Sequence, residues 1–223
     1  GRLLELSEYH SLFFLLFIAD FVGASEDPSV PLRPEGCSSR VKERVQTIFS
    51  DNTSGVVIGL DLGVNSLEGE INSNLSSSCF HGKLSSKSSL FKLQRLRVLN
   101  LAYNDLVSSE IPSQLGTLKE LTLLNLSNTL SSGTVPTELL HLTKLVSLDL
   151  SSNSLSAQKS FLNNLSQNLT NLEELNLGLV DISSEIPPNI SKLSSLKSLS
   201  LDECNLFGKL PSSLFYDSYY TIH

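Results

Sequence analysis

The sequence contains no methionine and no tryptophan in its 223 residues, and only three cysteines. Lacking even an initiator methionine, it is expected to be a piece of a longer protein. Aromatic residues make up 7 % of the chain although 40 % is hydrophobic, so the core must be built from aliphatic side chains. Basic residues are few and scattered: 16 Lys and Arg stand against 23 Asp and Glu, for a net charge of −7, with a modest cluster at Arg40, Lys42 and Arg44. That balance excludes a nucleic-acid binder, whose phosphate contacts need clustered cations. The apolar run at residues 12–19 falls short of the roughly 20 residues that cross a bilayer as a helix. The signatures of catalysis are missing too. His10, His81, His141 and His223 fall in no metal-ligand spacing, and there is no phosphate loop, dinucleotide fingerprint or nucleophile elbow. S-x-x-K occurs four times (Ser39, Ser89, Ser156 and Ser194 open the copies), as chance in a serine-rich chain allows, with no companion motif. No catalytic residue, metal or cofactor is expected.

Leucine at a fixed interval is what the sequence does have. Residues 142–155, LTKLVSLDLSSNSL, place Leu142, Leu145, Leu148, Leu150 and Leu155 around a lone amide, Asn153. Leu148-Asp149-Leu150 alternates with period two, which reads as a short strand with both leucines inward. Asn153 then turns the chain, and a buried amide there can bond backbone groups that the bend leaves unpaired. The second leucine of this pair recurs at 101, 126, 150, 177 and 201, in steps of 25, 24, 27 and 24. Such steps lie in the range of roughly 20–29 residues set by leucine-rich repeats, in which one unit cannot bury its leucines but stacked units can. A leucine-rich helix bundle is excluded because steps near 24 hold no helical face and Pro and Gly recur in each unit.

After each turn comes an apolar–proline pair: Ile111-Pro112, Val135-Pro136, Ile186-Pro187 and Leu210-Pro211, with Gly133 and Gly208 two residues ahead. A proline there suits an extended or edge segment. The combined pattern, L-x-x-L-x-x-L-x-L-x-x-N-x-L-x-G-x-I-P, resembles the plant extracellular subclass of leucine-rich repeats. Residues 100–118 and 167–187, including Gln167-Asn-Leu-Thr-Asn and Val180-Asp-Ile-Ser-Ser-Glu-Ile-Pro, are similar to plant receptor-like proteins of the disease-resistance class. The resemblance covers about residues 54–214. It implies an α/β repeat fold, a right-handed leucine-rich-repeat solenoid with six or so short parallel strands on the concave face and a degenerate helical amino-terminal cap.

The chain divides accordingly. Residues 1–25 read as a secretory signal peptide, apolar and then small at Val22-Gly23-Ala24. Residues 26–53 are a spacer and partial cap, in which 37–49 has Val41, Val45 and Ile48 at helical spacing. The family's tryptophan and cysteine pair after this helix are missing. Residues 54–89 are a first coil with a half-coil duplication: Phe80, Gly82 and Leu84 repeat Leu67, Gly69 and Ile71, so one copy must loop out, and spacing to Leu101 favours the second copy as the one in register. Residues 90–214 are regular repeats in which Thr129, Val180 and Cys204 replace the ladder Asn. The three extra residues of the long coil, within 157–167, are expected to form a loop. Residues 215–223 are expected to be an irregular tail that leaves the solenoid open. Cys37 and Cys79 are candidates for a pair across the cap, and Cys204 for a buried free thiol.

Strand alternation puts the residues between and beside the leucines on the concave side. The binding candidates on that face are Asp61, Val98, Asn100, Asn125, Asp149, Glu174, Asn176 and Asp202; Ala102, Ser127, Ser151 and Gly178 are expected to share it. N-x-S/T sequons at Asn52, Asn74, Asn164, Asn168 and Asn189 are glycosylation candidates, while a sixth at Asn125 falls inside a strand. The resemblance implies non-enzymatic recognition of a protein or peptide ligand as part of a cell-surface ectodomain in defence signalling, with co-receptor kinases as further partners. The chain would enter the secretory pathway and meet the membrane only through segments outside itself, at the extracellular face of the plasma membrane, or be secreted. Two alternatives share the repeats: the ectodomain of a receptor kinase, and a secreted inhibitor of cell-wall-degrading enzymes.

Overall fold

The structure, a computed structural model, describes residues 47–51, 56–63, 82–106, 109–212 and 221–222. The signal peptide, Cys37, Cys79, Asn52, Asn74 and most of the proposed cap lie outside these residues. The strands are each too short to stand alone. These are β1 (Thr47–Ser50), β2 (Val57–Asp61), β3 (Val98–Asn100), β4 (Leu123–Asn125), β5 (Ser132–Thr134), β6 (Ser147–Asp149), β7 (Ser154–Ser156), β8 (Glu174–Asn176), β9 (Ser198–Ser200) and β10 (Thr221–Ile222).

The main sheet runs β1-β2-β3-β4-β6-β8-β9-β10. From β2 onward every pair is parallel and in register: Leu60 faces Leu99, then Leu124, Leu148, Leu175 and Leu199. The central residue of each strand points into the stack, where Leu99, Leu124, Leu148, Leu175 and Leu199 are at most 1 % exposed. One layer deeper, Leu62, Leu101, Leu126, Leu150 and Leu177 have no exposed surface at all. The strand ends are tied coil to coil by N–H donors: Leu101 to Asn125 O, Leu126 to Asp149 O, Leu150 to Asn176 O and Leu177 to Ser200 O. The solenoid is thus closed by repetition, each coil satisfying the backbone of the one before.

The ladder amide behaves as its chemistry demands. Asn153 Nδ2 donates to Leu126 O, Leu150 O and Ser151 O at 2.8, 3.0 and 3.1 Å, while its Oδ1 accepts Thr129 N–H and Ser131 N–H at 3.0 and 3.1 Å. Asn104 likewise donates to Leu62 O and Leu101 O. Thr129 covers one carbonyl, Leu126 O, and the buried Cys204 thiol donates to Leu177 O at 3.1 Å. Burial pushes that thiol up to about 11.

On the opposite side, short 3-10 helices at Ser89–Lys92, Ser113–Thr117, Thr137–His141 and Pro188–Lys192 return the chain. Pro112, Pro136 and Pro187 each stand just before such a helix with φ between −71° and −68°, an extended conformation that the proline ring favours. The apolar–proline pairs also lie beside a second, two-stranded parallel sheet, β5-β7, extended by bridges Glu110 to Ser132, Ser156 to Asp181 and Glu185 to Phe207.

Four expectations need correction. Part of the segment expected to form the cap helix, Thr47–Ser50, is strand β1, antiparallel to β2; pairing with the free edge of the sheet satisfies backbone groups that a helix would leave on that edge. The long coil's extra residues do not form a loop through 167, because helix α1 (Phe161–Asn168) starts within them. Phe161, Leu162, Leu165 and Leu169 recur on one helical face, and all are at most 1 % exposed, so the added length is taken up by an apolar face that packs inward. In the stretch read as an irregular tail, Thr221–Ile222 adds a parallel strand to β9, with Ile222 opposite Leu199. Finally, Ala102, Ser127 and Ser151 are buried at 5 %, 8 % and 8 % rather than lining an open face. Between β2 and β3 the chain takes a 39-residue step, as Asp61 and Asn100 show, and Leu84 lies in the core while Gly82 N–H donates to Asp105 O.

Candidate functional site

The concave ribbon is built from strand positions that flank the buried leucines, because successive side chains leave opposite faces. The column before the leucine holds Val98, Leu123, Ser147, Glu174 and Ser198, all half-buried except exposed Glu174. The column after it holds Asp61, Asn100, Asn125, Asp149, Asn176 and Ser200, all half-buried. Asp202 stands exposed beyond β9. The structure therefore brings Asp61, Val98, Asn100, Asn125, Asp149, Glu174, Asn176 and Asp202 onto one ribbon, spread along six strands.

The second column has a local duty that strand alternation alone does not reveal. Asp61, Asn100, Asn125, Asp149 and Asn176 each use Oδ1 to accept the backbone N–H two residues on, at 2.9–3.2 Å. This is an Asx turn, and it ends the strand in each coil from β2 to β8, whereas Ser200 after β9 turns its hydroxyl to Asp202 instead. The readable signal is the recurrence of Asp or Asn directly after the first leucine of the pair, from Asp61 to Asn176. Neighbours also bond across coils: Asn100 Nδ2 donates to Asp61 Oδ1 at 2.9 Å, and Asn176 Nδ2 to Asp149 Oδ2 at 3.3 Å. What faces a partner is mainly the column before the leucine, because Asn100 Nδ2, Asn176 Nδ2 and Asp149 Oδ2 of the column after it, the inner column, are engaged across the coils.

The ribbon deepens over β6, β8 and β9 into a hollow of about 350 Å3 lined by Ser147, Asp149, Glu174, Asn176, Ser198 and Asp202. Ser147 Oγ donates to Glu174 Oε2 at 3.0 Å, and Ser200 Oγ to Asp202 Oδ2 at 3.0 Å, which orients both carboxylates. The residues between and beside the strand leucines include Asp61, Asp149, Glu174 and Asp202 but no Lys or Arg among the described residues.

A second hollow, about 550 Å3, lies at the sheet margin and was not anticipated; Asp51, Ile58, Arg95, Arg97 and Glu120 line it. Its signal is a charged residue two or four places before each strand leucine from Leu99 to Leu199: Arg95 and Arg97, Glu120, Lys144, Glu173 and Lys197. Along this margin Lys144 reaches both oxygens of Glu120 at 2.7 Å, and Lys197 reaches Glu173 at 2.6 Å. The Lys144 bond, aided by the charges of Lys144, Arg97 and Arg95, holds the Glu120 carboxyl below its ordinary value. These pairs are exposed and act as register marks between coils more than as sources of stability.

Of the sequon asparagines, Asn168 is exposed at the end of α1, whereas Asn164 and Asn189 are half-buried. Asn189 Nδ2 donates to Asn163 O of the preceding coil at 3.2 Å. Asn125 sits mid-sheet on the ribbon, its Oδ1 held by Ser127. No helix among the described residues is long and apolar enough to cross a membrane.

The Leucine Rich Repeat family pattern matches residues 95–118 and 195–216. Receptor-like protein 6 of Arabidopsis thaliana is 46 % identical over 174 residues, which span 75 % of this chain and 16 % of that protein. The Receptor-like protein Cf-9 homolog of Solanum lycopersicum is 39 % identical over 170 residues, 76 % of this chain and 18 % of that one. The chain therefore spans less than a fifth of these relatives' length. Among solved structures, the Arabidopsis receptor kinase HAESA in complex with the peptide hormone IDA and the co-receptor SERK1 superposes with a TM-score of 0.55 at 26 % identity, over 78 % of this chain and 35 % of that one. Repeats, register and relatives agree: the chain belongs to the plant leucine-rich-repeat receptor-like proteins.

Proposed function

We propose that this chain forms part of a receptor-like ectodomain on the plant cell surface and uses its concave ribbon for non-enzymatic recognition of a protein or peptide ligand in defence signalling. The supporting observation is the ribbon itself. Across six neighbouring strands of the main sheet the leucine layer is sealed while the column after the leucine stays half-exposed on all six and the column before it on five, a shape suited to an extended partner lying across the coils. Val98 and Leu123 supply apolar contact near one end and Glu174, Asp149 and Asp202 supply charge near the other. Signalling runs through co-receptor kinases, and membrane attachment through segments outside this chain. The receptor-like reading stands ahead of a receptor-kinase ectodomain because identity to receptor-like protein 6 is 46 % while identity to the kinase ectodomain is 26 %.

The test uses the secreted chain as bait for apoplastic fluid from challenged leaves, with each bound species identified by mass spectrometry. Binding that falls at least tenfold for Glu174→Arg with Asp149→Arg, and is unchanged for Glu138→Arg on the convex side, supports the reading. Equal loss in both, or no loss in either, refutes it.

A further inference from the structure

We propose that Asn168 carries an N-linked glycan on the convex side of the solenoid and that the Asn189 sequon stays bare in the folded protein. The inference rests on the secretory route proposed above. A sugar-bearing Asn side chain is a secondary amide, planar and trans like a peptide bond. Its geometry places the anomeric carbon on the same side of the C–N bond as Oδ1, and leaves one N–H pointing away.

At Asn189 the first requirement fails. Oδ1 is fully buried with no hydrogen-bond partner, so the space beside it, where the first sugar ring must begin, is filled by protein. Nδ2 donates across the coil boundary to Asn163 O at 3.2 Å, holding the Pro188–Lys192 helix against α1. A glycan there would force these two elements apart. At Asn168 both requirements are met. The residue is exposed, as is Thr170 of its sequon. Nδ2 donates to Asn164 O at 2.7 Å, a bond that the remaining N–H can keep.

The transfer balances simply. Asn168 Nδ2 attacks the anomeric carbon of a lipid-diphosphate oligosaccharide; the N–C bond forms, the C–O bond to phosphate breaks, the diphosphate leaves with the electron pair, and the amide proton passes to base. No redox partner is involved. Because transfer precedes folding, the fold acts as a filter: chains modified at Asn168 close their coils, whereas chains modified at Asn189 do not. The glycan then stands on the side away from the ribbon.

The chain is secreted from cultured plant cells behind a foreign leader, so that a failure of native targeting does not read as a failure of the site. Folded, secreted protein is digested, and its glycans are removed in heavy-oxygen water by an amidase that converts each occupied Asn to labelled Asp. Label at Asn168 and none at Asn189 is expected. Label at Asn189, or none at Asn168, overturns the proposal. Two variants at exposed hydroxyls supply a second reading by gel mobility: Thr170→Ala loses one glycan, and Ser191→Ala loses none. The reverse pattern overturns it equally.

Discussion

Replacing Asn153 by Leu tests the ladder at its most heavily bonded rung. The two side chains are close in shape, so the substitution removes hydrogen bonds without opening a space that water could enter. Three backbone groups have Asn153 as their partner in the ladder: Thr129 N–H at 3.0 Å, Ser131 N–H at 3.1 Å and Leu150 O at 3.0 Å. Leu126 O keeps Thr129 Oγ1 as a donor and is not orphaned. A buried group left unsatisfied costs about 1–3 kcal/mol, so three cost roughly 3–9 kcal/mol. The gained apolar contact of the Leu methyls returns about 1–2 kcal/mol. A net destabilisation of about 4 kcal/mol is therefore expected, much of the total of roughly 5–15 kcal/mol typical of a domain. Urea unfolding followed by far-UV circular dichroism should show the midpoint collapse. Cys204→Ala, which removes one weak donor, should cost about 1 kcal/mol in the same assay. A loss below about 1 kcal/mol for Asn153→Leu would refute the claim that the amide holds the turn.

Other outcomes follow from particular positions. Leu179 has φ 70° and is 47 % exposed, so Leu179→Asn, which tolerates that conformation, should raise stability by about 0.5–1 kcal/mol in thermal melts. Gly116 packs against Glu138 O of the next coil so closely that any Cβ would overlap it; Gly116→Ala should lower stability by about 2 kcal/mol by the same measurement. The Cys204 thiol, raised to about 11 by burial, should resist alkylation at pH 8 in the folded chain and react once denaturant opens it, as read by mass spectrometry of its peptide. Bonds from Ser183 and then Asn205 hold the Asp181 carboxyl below its ordinary 3.8. A lowered carboxylate stabilises the fold above its unfolded value and loses that contribution as pH falls through the folded one. Asn205→Ala should therefore move the Asp181 midpoint upward in an NMR titration.

What could be read from the residues was the part fixed by period. Leu101, Leu126, Leu150 and Leu177 announce the stack because burial of a layer requires the same side chain at the same place in each coil. Asn153 was legible as a turn residue because a lone amide in an apolar pattern needs partners. What escaped was set by neighbours in space. Thr47–Ser50 pairs with a sheet edge that its own helical spacing does not predict. The inward face of α1 was visible only as extra length. Each inner-column Asp or Asn was legible as concave, but its Oδ1 is occupied by its own backbone two residues on, a contact that alternation does not report. The left-handed residue before each ladder position, Tyr103, Asn128, Ser152, Leu179 and Glu203, carries no glycine to mark it. It is held there by the coil that follows: the N–H of Tyr103, Asn128, Ser152 and Leu179 reaches Ser127 O, Ser151 O, Gly178 O and Asp202 O.

Amide hydrogen exchange by NMR addresses the stacked-coil account most directly. The N–H groups of Leu101, Leu126, Leu150 and Leu177 each donate to the following coil, so these four should be among the slowest to exchange, while the N–H groups of exposed Lys159 and Ser160 exchange fast. Fast exchange at the four leucines, with protection instead in long unbroken helical runs, would contradict it.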